Sequence, residues 1–361
     1  MVRGIIEYSK LHGPWHLELH TGGPEEILQL ERRWSSDGII GRVPSTTIAK
    51  SFLAKKVPIV NCSGILVPGY EFPTVTGSYL GDAKIAAEHF WARGFSHFAY
   101  VGHPSESYVN ILFEKFCEVL ATRGHHCAFH RSVPNPEGYI EWLRGLPKPV
   151  GVLCWGPAIG RAVLDACLES GINVPHDVAV MGCDFDDLQS EASYPEQTGI
   201  RTAAEQIGRK AAELLHTLFR GKTPSPMRHE IPPLGVFARL STDTLAIQDR
   251  RLASVMRFIQ EHAHEPIRVR DLLTKEPMAR RTLERKFREV FGKSIIEQIR
   301  QVRVDKLRHD LAHTDEPITN LAEKCGFSSY KYMGLVFHEA TGMTPRQFRE
   351  RNRAPRRTGW R

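Results

Sequence analysis

The sequence predicts an α/β body of two lobes with parallel, doubly wound sheets, followed by an all-α domain with two helix-turn-helix units. Three observations point there. Short apolar runs alternate with amphipathic stretches through residue 245, the pattern of strands and helices packed in layers. Beyond Leu252 no strand pattern survives, and short helical stretches carry charged outer faces. In that last part Phe287-x-Glu289-x-x-Gly292 recurs as Phe337-x-Glu339-x-x-Gly342, fifty residues on.

The strand candidates are Gly38-Ile39-Ile40, Val57-Pro58-Ile59-Val60, Phe98-Ala99-Tyr100-Val101-Gly102, Val150-Gly151-Val152-Leu153-Cys154 and Val178-Ala179-Val180-Met181-Gly182. They are apolar without alternation, as strands covered on both faces are. Residues 83–93, 109–123 and 160–170 have helical periodicity between them. Residues 2–11 read as a helix and 15–20 as a strand. Thr223-Pro224-Ser225-Pro226 and Pro232-Pro233 are turn signals. The expected domains are residues 1–245, a linker at 246–252, a helical domain at 253–350 and a basic disordered tail at 351–361.

Composition narrows the function classes. Hydrophobic residues make up 41% and charged residues 25% of the chain, which excludes disorder over most of its length. No apolar run approaches the ~20 residues of a membrane span, and Met1-Val2-Arg3-Gly4-Ile5-Ile6-Glu7 lacks the layout of a signal peptide. A cytoplasmic, nucleoid-associated bacterial protein with no membrane contact is expected. The seven cysteines are scattered without a C-x-x-C pair and read as buried free thiols; His125-His126-Cys127 lacks the second ligand pair of a closed metal site. No metal or other cofactor is expected. No phosphate-binding loop, nucleophile elbow or zinc-protease motif occurs, and Asp184 with Asp186 or Asp187 reads as a solvated turn rather than a catalytic pair, so an enzyme is not expected.

Charge is unevenly spread. Residues 251–361 hold 24 Lys+Arg against 14 Asp+Glu, a net of +10, while the first 250 hold 24 against 27, a net of −3. A near-neutral body joined to a segment that binds a polyanion has this asymmetry. Each copy of the repeated motif ends a helix, break, helix arrangement: residues 269–273 then 279–290, and residues 318–325, a break at Gly326, then 329–340. In the helix 279–290, Leu283, Phe287 and Val290 form an apolar stripe. Arg280, Arg281, Glu284, Arg285 and Arg288 lie away from it. Such a face fits a major groove, where Arg grips guanine and Glu accepts from cytosine. A solvated helix with Glu–Arg pairs would look alike locally; the repeat and the charge segregation favour DNA.

Leu283-Glu284-Arg285-Lys286-Phe287, Gly292, Cys325-Gly326-Phe327, Phe337 and Gly342-Met343-Thr344-Pro345-Arg346-Gln347-Phe348-Arg349 resemble the AraC/XylS-family DNA-binding domain. The resemblance covers about residues 252–350. It implies two helix-turn-helix units joined by a long central helix, here about residues 295–311. It places Arg281, Glu284 and Arg285 on the base-reading face of the first unit, and Tyr330, Lys331, Gly334 and Leu335 on that of the second, with Ser329 at its start. The chain departs from the family where Ala279 replaces a Ser N-cap and Pro277 a Gly. Gly334 and Leu335 have no hydrogen-bonding side chain, so the second helix is expected to meet mostly phosphates and thymine methyls, and the first to carry most of the specificity.

Val174-Pro175-His176-Asp177-Val178-Ala179-Val180-Met181-Gly182-Cys183-Asp184, Pro195, Gly208, Ala211 and Phe237-Ala238-Arg239-Leu240-Ser241-Thr242 resemble the LacI/GalR sensors of periplasmic-binding-protein type I fold. A sensor of this kind ahead of an AraC-type domain resembles the bacterial xylose-operon regulators. That implies a pentose effector, D-xylose first, between the two lobes, a double-stranded DNA operator, a homodimer and contact with RNA polymerase. Candidate effector residues are Asp184 at a strand end, Trp155 as a stacking platform and Ser78. Two carboxylates common in the family are replaced, by Ser78 and Pro157, so an effector-independent regulator with a degenerate sensor stands as the alternative. The type I fold opens with a strand inside its first sheet; no counterpart is read ahead of residues 2–11, so either the start lies upstream of Met1 or the first lobe is incomplete, and the upstream start is the expectation.

Overall fold

The computed structural model describes residues 1–20, 36–103, 107–131, 136–244 and 249–352. They fall into two compact units, and the second unit includes the helical C-terminal part.

The first unit holds α1 (Val2–His12), β1 (Ile39–Gly41), α2 (Thr46–Ala54), β2 (Ile59–Asn61), β3 (Thr74–Gly77) and, later in the chain, α8 (Ala204–Phe219) and β9 (Arg228–Ile231). Its sheet runs β1-β2-β3-β9 with every pair parallel, in register Gly41↔Asn61, Asn61↔Thr74 and Thr74↔Arg228. Val60 and Val75 from the sheet pack on Ala211, Leu214 and Leu215 of α8. Helices α1 and α8 cross so closely that a Cβ on Gly208 would sit 1.9 Å from the Met1 carbonyl oxygen, which explains a glycine inside that helix. Residues 15–20, expected as a strand, are not one. Trp15 instead packs its ring 5.8 Å from Tyr8, 6.0 Å from His216 and 6.0 Å from Phe219.

The second unit is built on β4 (His97–Gly102), β5 (Cys127–Arg131), β6 (Val150–Cys154), β7 (Val178–Gly182), β8 (Thr198–Arg201) and β10 (Gly235–Phe237), in the order β10-β8-β7-β6-β4-β5. The four pairs from β5 to β8 through β4, β6 and β7 are parallel. Helices α3 (Tyr79–Trp91), α4 (Ser107–Ala121), α5 (Pro136–Gly145), α6 (Pro157–Ser170) and α7 (Asp187–Glu191) alternate with the strands along the chain. All five residues of β6 and of β7 are buried, as continuous apolar runs require.

The sensor-like body ends on a buried polar network. Ser241 and Thr242 are fully buried and lie in a 3-10 turn, Leu240–Thr242. Ser241 Oγ donates to the Val180 carbonyl at 2.6 Å and accepts from Thr198 N at 2.8 Å. Thr242 Oγ1 meets Thr198 Oγ1 at 2.8 Å and His89 Nε2 at 2.8 Å, and its carbonyl accepts from Arg93 Nε at 2.8 Å. This is the physical content of the Arg239-Leu240-Ser241-Thr242 motif: every hydroxyl is satisfied, so the turn is fixed to the sheet and to α3.

The C-terminal part comprises α9 (Arg250–His262), α10 (Val269–Lys275), α11 (Arg280–Phe291), α12 (Ile295–His313), α13 (Ile318–Lys324), α14 (Tyr330–Thr341) and α15 (Pro345–Asn352). It has two cores. Leu252, Val255, Met256, Ile259, Leu272, Leu283, Phe287 and Phe291 close on Ile295 and Ile299. Leu321, Cys325, Phe327, Met333, Val336, Phe337 and Phe348 close on Val304, Leu307 and Leu311. Helix α12 thus serves both. Two expectations are corrected. Residues 250–252, read as linker, are helical, because Asp249 caps α9 by accepting from Arg251 N at 3.0 Å. Val290 is 41% exposed, and the stripe continues to Phe291 instead. Of the expected tail, residues 351 and 352 end α15, and residues 353–361 lie outside the described residues.

His89 gives the fold a pH dependence. Burial, and then the neighbouring Arg93, hold its pKa well below the ordinary value. The unfolded chain therefore takes up a proton that the folded chain refuses, and stability falls as pH drops below about 6.5. Unfolding in urea across pH 5–8 is expected to show this slope, and His89→Gln to flatten it; equal slopes would show that His89 is not the group responsible.

Candidate DNA interface and effector-side residues

The first helix-turn-helix unit is α10, the turn 276–279 and α11. Leu283, Phe287 and Phe291 recur at i, i+4 and i+8 and are fully buried, so the opposite face of α11 must be exposed. The structure places Arg281, Arg285 and Arg288 there with Glu284 at its border, all exposed; Arg280, three residues before Leu283, lies on the stripe side of the first turn and is exposed as well. Arg280 pairs with Glu284 at 2.9 Å and Arg285 with Glu289 at 2.7 Å. Exposed i,i+4 pairs of this kind contribute only about 0.2–0.5 kcal/mol, so each guanidinium is free to exchange its partner for a base edge. Lys286 points elsewhere: its Nζ lies 2.7 Å from Asp249 Oδ2, which ties α11 to the start of α9 and, by that hydrogen bond first, depresses the Asp249 carboxyl pKa.

The two recognition helices begin differently. Ala279 stands at the N-cap of α11 and offers no side-chain bond. Ser329 caps α14, its hydroxyl accepting from Tyr332 N at 3.2 Å. Ser329 therefore has a structural task at the helix start, beside exposed Tyr330 and Lys331. Leu335 is 59% exposed and a Cβ on Gly334 would meet nothing, so these two positions offer no polar side chain among the exposed Lys331, His338 and Glu339.

The effector-side candidates all sit just past strand ends. Ser78 follows β3; its Oγ accepts from Gly81 N at 3.3 Å, at the start of α3, and donates to Glu230 Oε2 at 3.3 Å. Trp155 follows β6, half-buried, with its backbone N–H donating to the Val101 carbonyl at 2.9 Å. Asp184 follows β7 and is exposed, in the left-handed region at φ 58°, which Asp tolerates better than most residues. Pro157 is the first residue of α6, where its missing N–H costs nothing. Sequence reasoning missed Asp82, a carboxylate buried in the first turn of α3. It also missed Arg93 and His89, whose partners are 149 and 153 residues away. The spacing of Asp82 from Ser78 on one helical turn was the only local signal.

Comparison with known proteins joins these observations. A model described as a periplasmic binding protein-like domain matches residues 87–242, and a helix-turn-helix domain model matches residues 272–351. The chain is 27% identical to the xylose operon regulatory protein of Escherichia coli (strain K12), over 98% of this chain and 93% of that protein. It is 28% identical to the xylose operon regulatory protein of Haemophilus influenzae, over 77% of this chain and 75% of that protein. Among solved structures, that of the xylose-binding transcription activator xylR superposes with a TM-score of 0.60 at 26% identity, covering 98% of this chain and 94% of that one. None of the described helices is long and apolar enough to cross a membrane.

The unequal caps give a sign test. Restoring the missing hydroxyl with Ala279→Ser is expected to stabilise the chain by about 1 kcal/mol, and Ser329→Ala to destabilise it by about the same. Urea unfolding of both variants checks this; equal effects of one sign would show that the two helix starts are not built as described.

Proposed function

We propose that this chain is a transcription regulator joining a periplasmic binding protein-like sensor to a helix-turn-helix domain, that it reads its operator chiefly with α11 and that it answers to a pentose, D-xylose first. The exposed Arg281, Glu284, Arg285 and Arg288 face, set away from a buried stripe in a segment of net charge +10 and with Arg280 exposed in the first turn, carries the first part. Arg281, Glu284 and Arg285 are assigned to base edges, and Arg280 and Arg288 to either bases or phosphates. Tyr330 and Lys331 are assigned to the second contact, with Ser329 helping at the backbone. Residues 253–350 would make up the DNA-binding domain and residues 1–245 the sensor. Regulators named for the xylose operon over nearly the whole chain support the pentose, with Asp184, Trp155 and Ser78 the residues assigned to it.

In this reading the protein is cytoplasmic and acts as a homodimer. A copy on each half-site doubles the contacts, and RNA polymerase is the partner where the operator adjoins a promoter. The sugar shifts the equilibrium between two arrangements of the DNA-binding domains only by its differential affinity for them. A second reading, a regulator that ignores sugars, is favoured by one observation: Ser78 and Pro157 occupy helix starts where related sensors carry carboxylates, and both serve those helices structurally.

Arg285→Ala is expected to weaken operator binding by about 1–3 kcal/mol and to relax preference at one base pair while leaving binding to unrelated DNA little changed. Titration of specific and random duplexes at fixed salt decides this, and equal weakening of both would reduce Arg285 to a phosphate contact. For the effector, D-xylose at 100 times its Kd should stabilise the chain by about 2.7 kcal/mol, a shift of several degrees in Tm. A melt screen with D-xylose and other monosaccharides in which no sugar moves Tm would favour the second reading.

A further inference from the structure

Arg123 joins the sensor lobe to the first recognition helix. It lies two residues beyond α4, in the turn 122–124. Its guanidinium carbon is 3.9 Å from the centroid of the Trp91 ring, at the end of α3. Its Nη1 donates to the carbonyl oxygen of Phe291 at 2.9 Å, across 168 residues of sequence. Phe291 is the last residue of α11, so this carbonyl is one of the final four that no amide of the helix can reach. A cation there also faces the negative end of the helix dipole.

The surroundings fit the contact. The next residue, Gly292, has φ 67°, and a Cβ on it would sit 2.6 Å from Arg123 Nη1, so the turn after α11 leaves the guanidinium its space. Lys293 follows, with Glu88 of α3 its foremost favourable charge partner. The C-terminal end of the first recognition helix thus meets the turn after α4 through Arg123, while its exposed face lies along its other side. At Lys286 it is held again, by Asp249 at the end of the connection from the sensor.

We infer that Arg123, held flat by Trp91, is the positioning residue through which the sensor lobe sets the orientation of the first recognition helix. The inference rests on the DNA-reading role proposed for α11. A planar guanidinium is what the position uses: it stacks on the indole and aims an N–H at the carbonyl, which the flexible, compact ammonium of lysine cannot do together. Arg123 touches no part of the reading face, so its loss should spare contact with DNA as such and remove the sensor's influence on it.

The test uses the full chain as wild type, Arg123→Ala and Arg123→Lys. Hydrogen–deuterium exchange is followed over residues 288–294. Affinity for the operator and for random duplex is measured with and without D-xylose, and Tm with and without D-xylose. In Arg123→Ala the amides after Arg288 are expected to exchange at least tenfold faster. Random-duplex affinity and any D-xylose shift in Tm should stay as in wild type, and the ratio of operator affinities with and without D-xylose should fall toward one. Arg123→Lys should restore little of that ratio, whereas a plain charge at the helix end would restore it. Unchanged exchange over residues 288–294, or an unchanged ratio in Arg123→Ala, overturns the inference. If D-xylose moves neither Tm nor operator affinity in the wild type, the pentose reading has failed. In that case exchange, together with operator discrimination over random duplex, still decides the role of Arg123.

Discussion

Helix α12 is the constraint on which the DNA-binding half depends. It gives Ile295 and Ile299 to one core and Val304, Leu307 and Leu311 to the other, so neither unit can fold around its recognition helix without it. Its start is fixed by a reciprocal cap: Ser294 Oγ accepts from Glu297 N at 3.2 Å, and Glu297 Oε2 accepts from Ser294 N at 2.7 Å. Those bonds, the backbone one first, hold the Glu297 carboxyl below its ordinary range. Because a helix resists bending over so few turns, the separation and phase of α11 and α14 are inherited from α12 and not adjusted independently. A regulator that must match a fixed groove spacing needs this rigidity, and one that must also respond to a ligand has to move the pair as a body.

The response must therefore enter at the edges of that body, and the structure has two such points in the second unit. One is the polar turn at Ser241 and Thr242, locked to β7, β8 and α3, from which the connection to α9 departs. The other is the Arg123 contact at the turn between α11 and α12. Both involve α3, through His89, Arg93 and Trp91. Helix α3 also begins at Ser78 and carries Asp82 in its first turn. One helix thus follows an effector-side candidate at its start and, toward its end, sets His89 against the polar turn and Trp91 against Arg123.

Much of this architecture was legible because burial on both faces writes itself into composition. The runs at 98–102, 150–154 and 178–182 had no other reading than central parallel strands. Strands β3, β5 and β9 went unread because Thr, His and Arg interrupt them, and their pairing comes from neighbours far away in sequence. Residues 15–20 misled in the opposite sense. Trp-His-Leu-Glu-Leu-His has a strand's alternation, yet Leu19 is 59% exposed and the tryptophan joins a cluster of rings instead. Val290 and Phe291 are both compatible with a helical stripe; the larger ring took the core. The charged face of α11 was legible from periodicity and charge alone. The partners of Arg93 and Arg123 were not, since nothing local to either residue announces a carbonyl more than a hundred positions away.

The energetics of α11 connect its two ends. Its N-terminus lacks the side-chain cap that α14 has, a loss of about 1 kcal/mol. Its surface ion pairs return only a few tenths each. A hydrogen bond from a charged donor gains strength where it is shielded from water, and α11 shares two with residues outside its span: Lys286 donates to Asp249, and Arg123 donates to the carbonyl of Phe291. The second of these is reinforced by the Trp91 indole against the guanidinium. The recognition helix with the weaker start is thus held from outside at two points, by the residue that caps α9 and by the turn after α4. In the other helix-turn-helix unit α14 begins on its own serine, and a charged donor reaches its last turn too, Arg308 Nη2 donating to the Ala340 carbonyl at 3.2 Å.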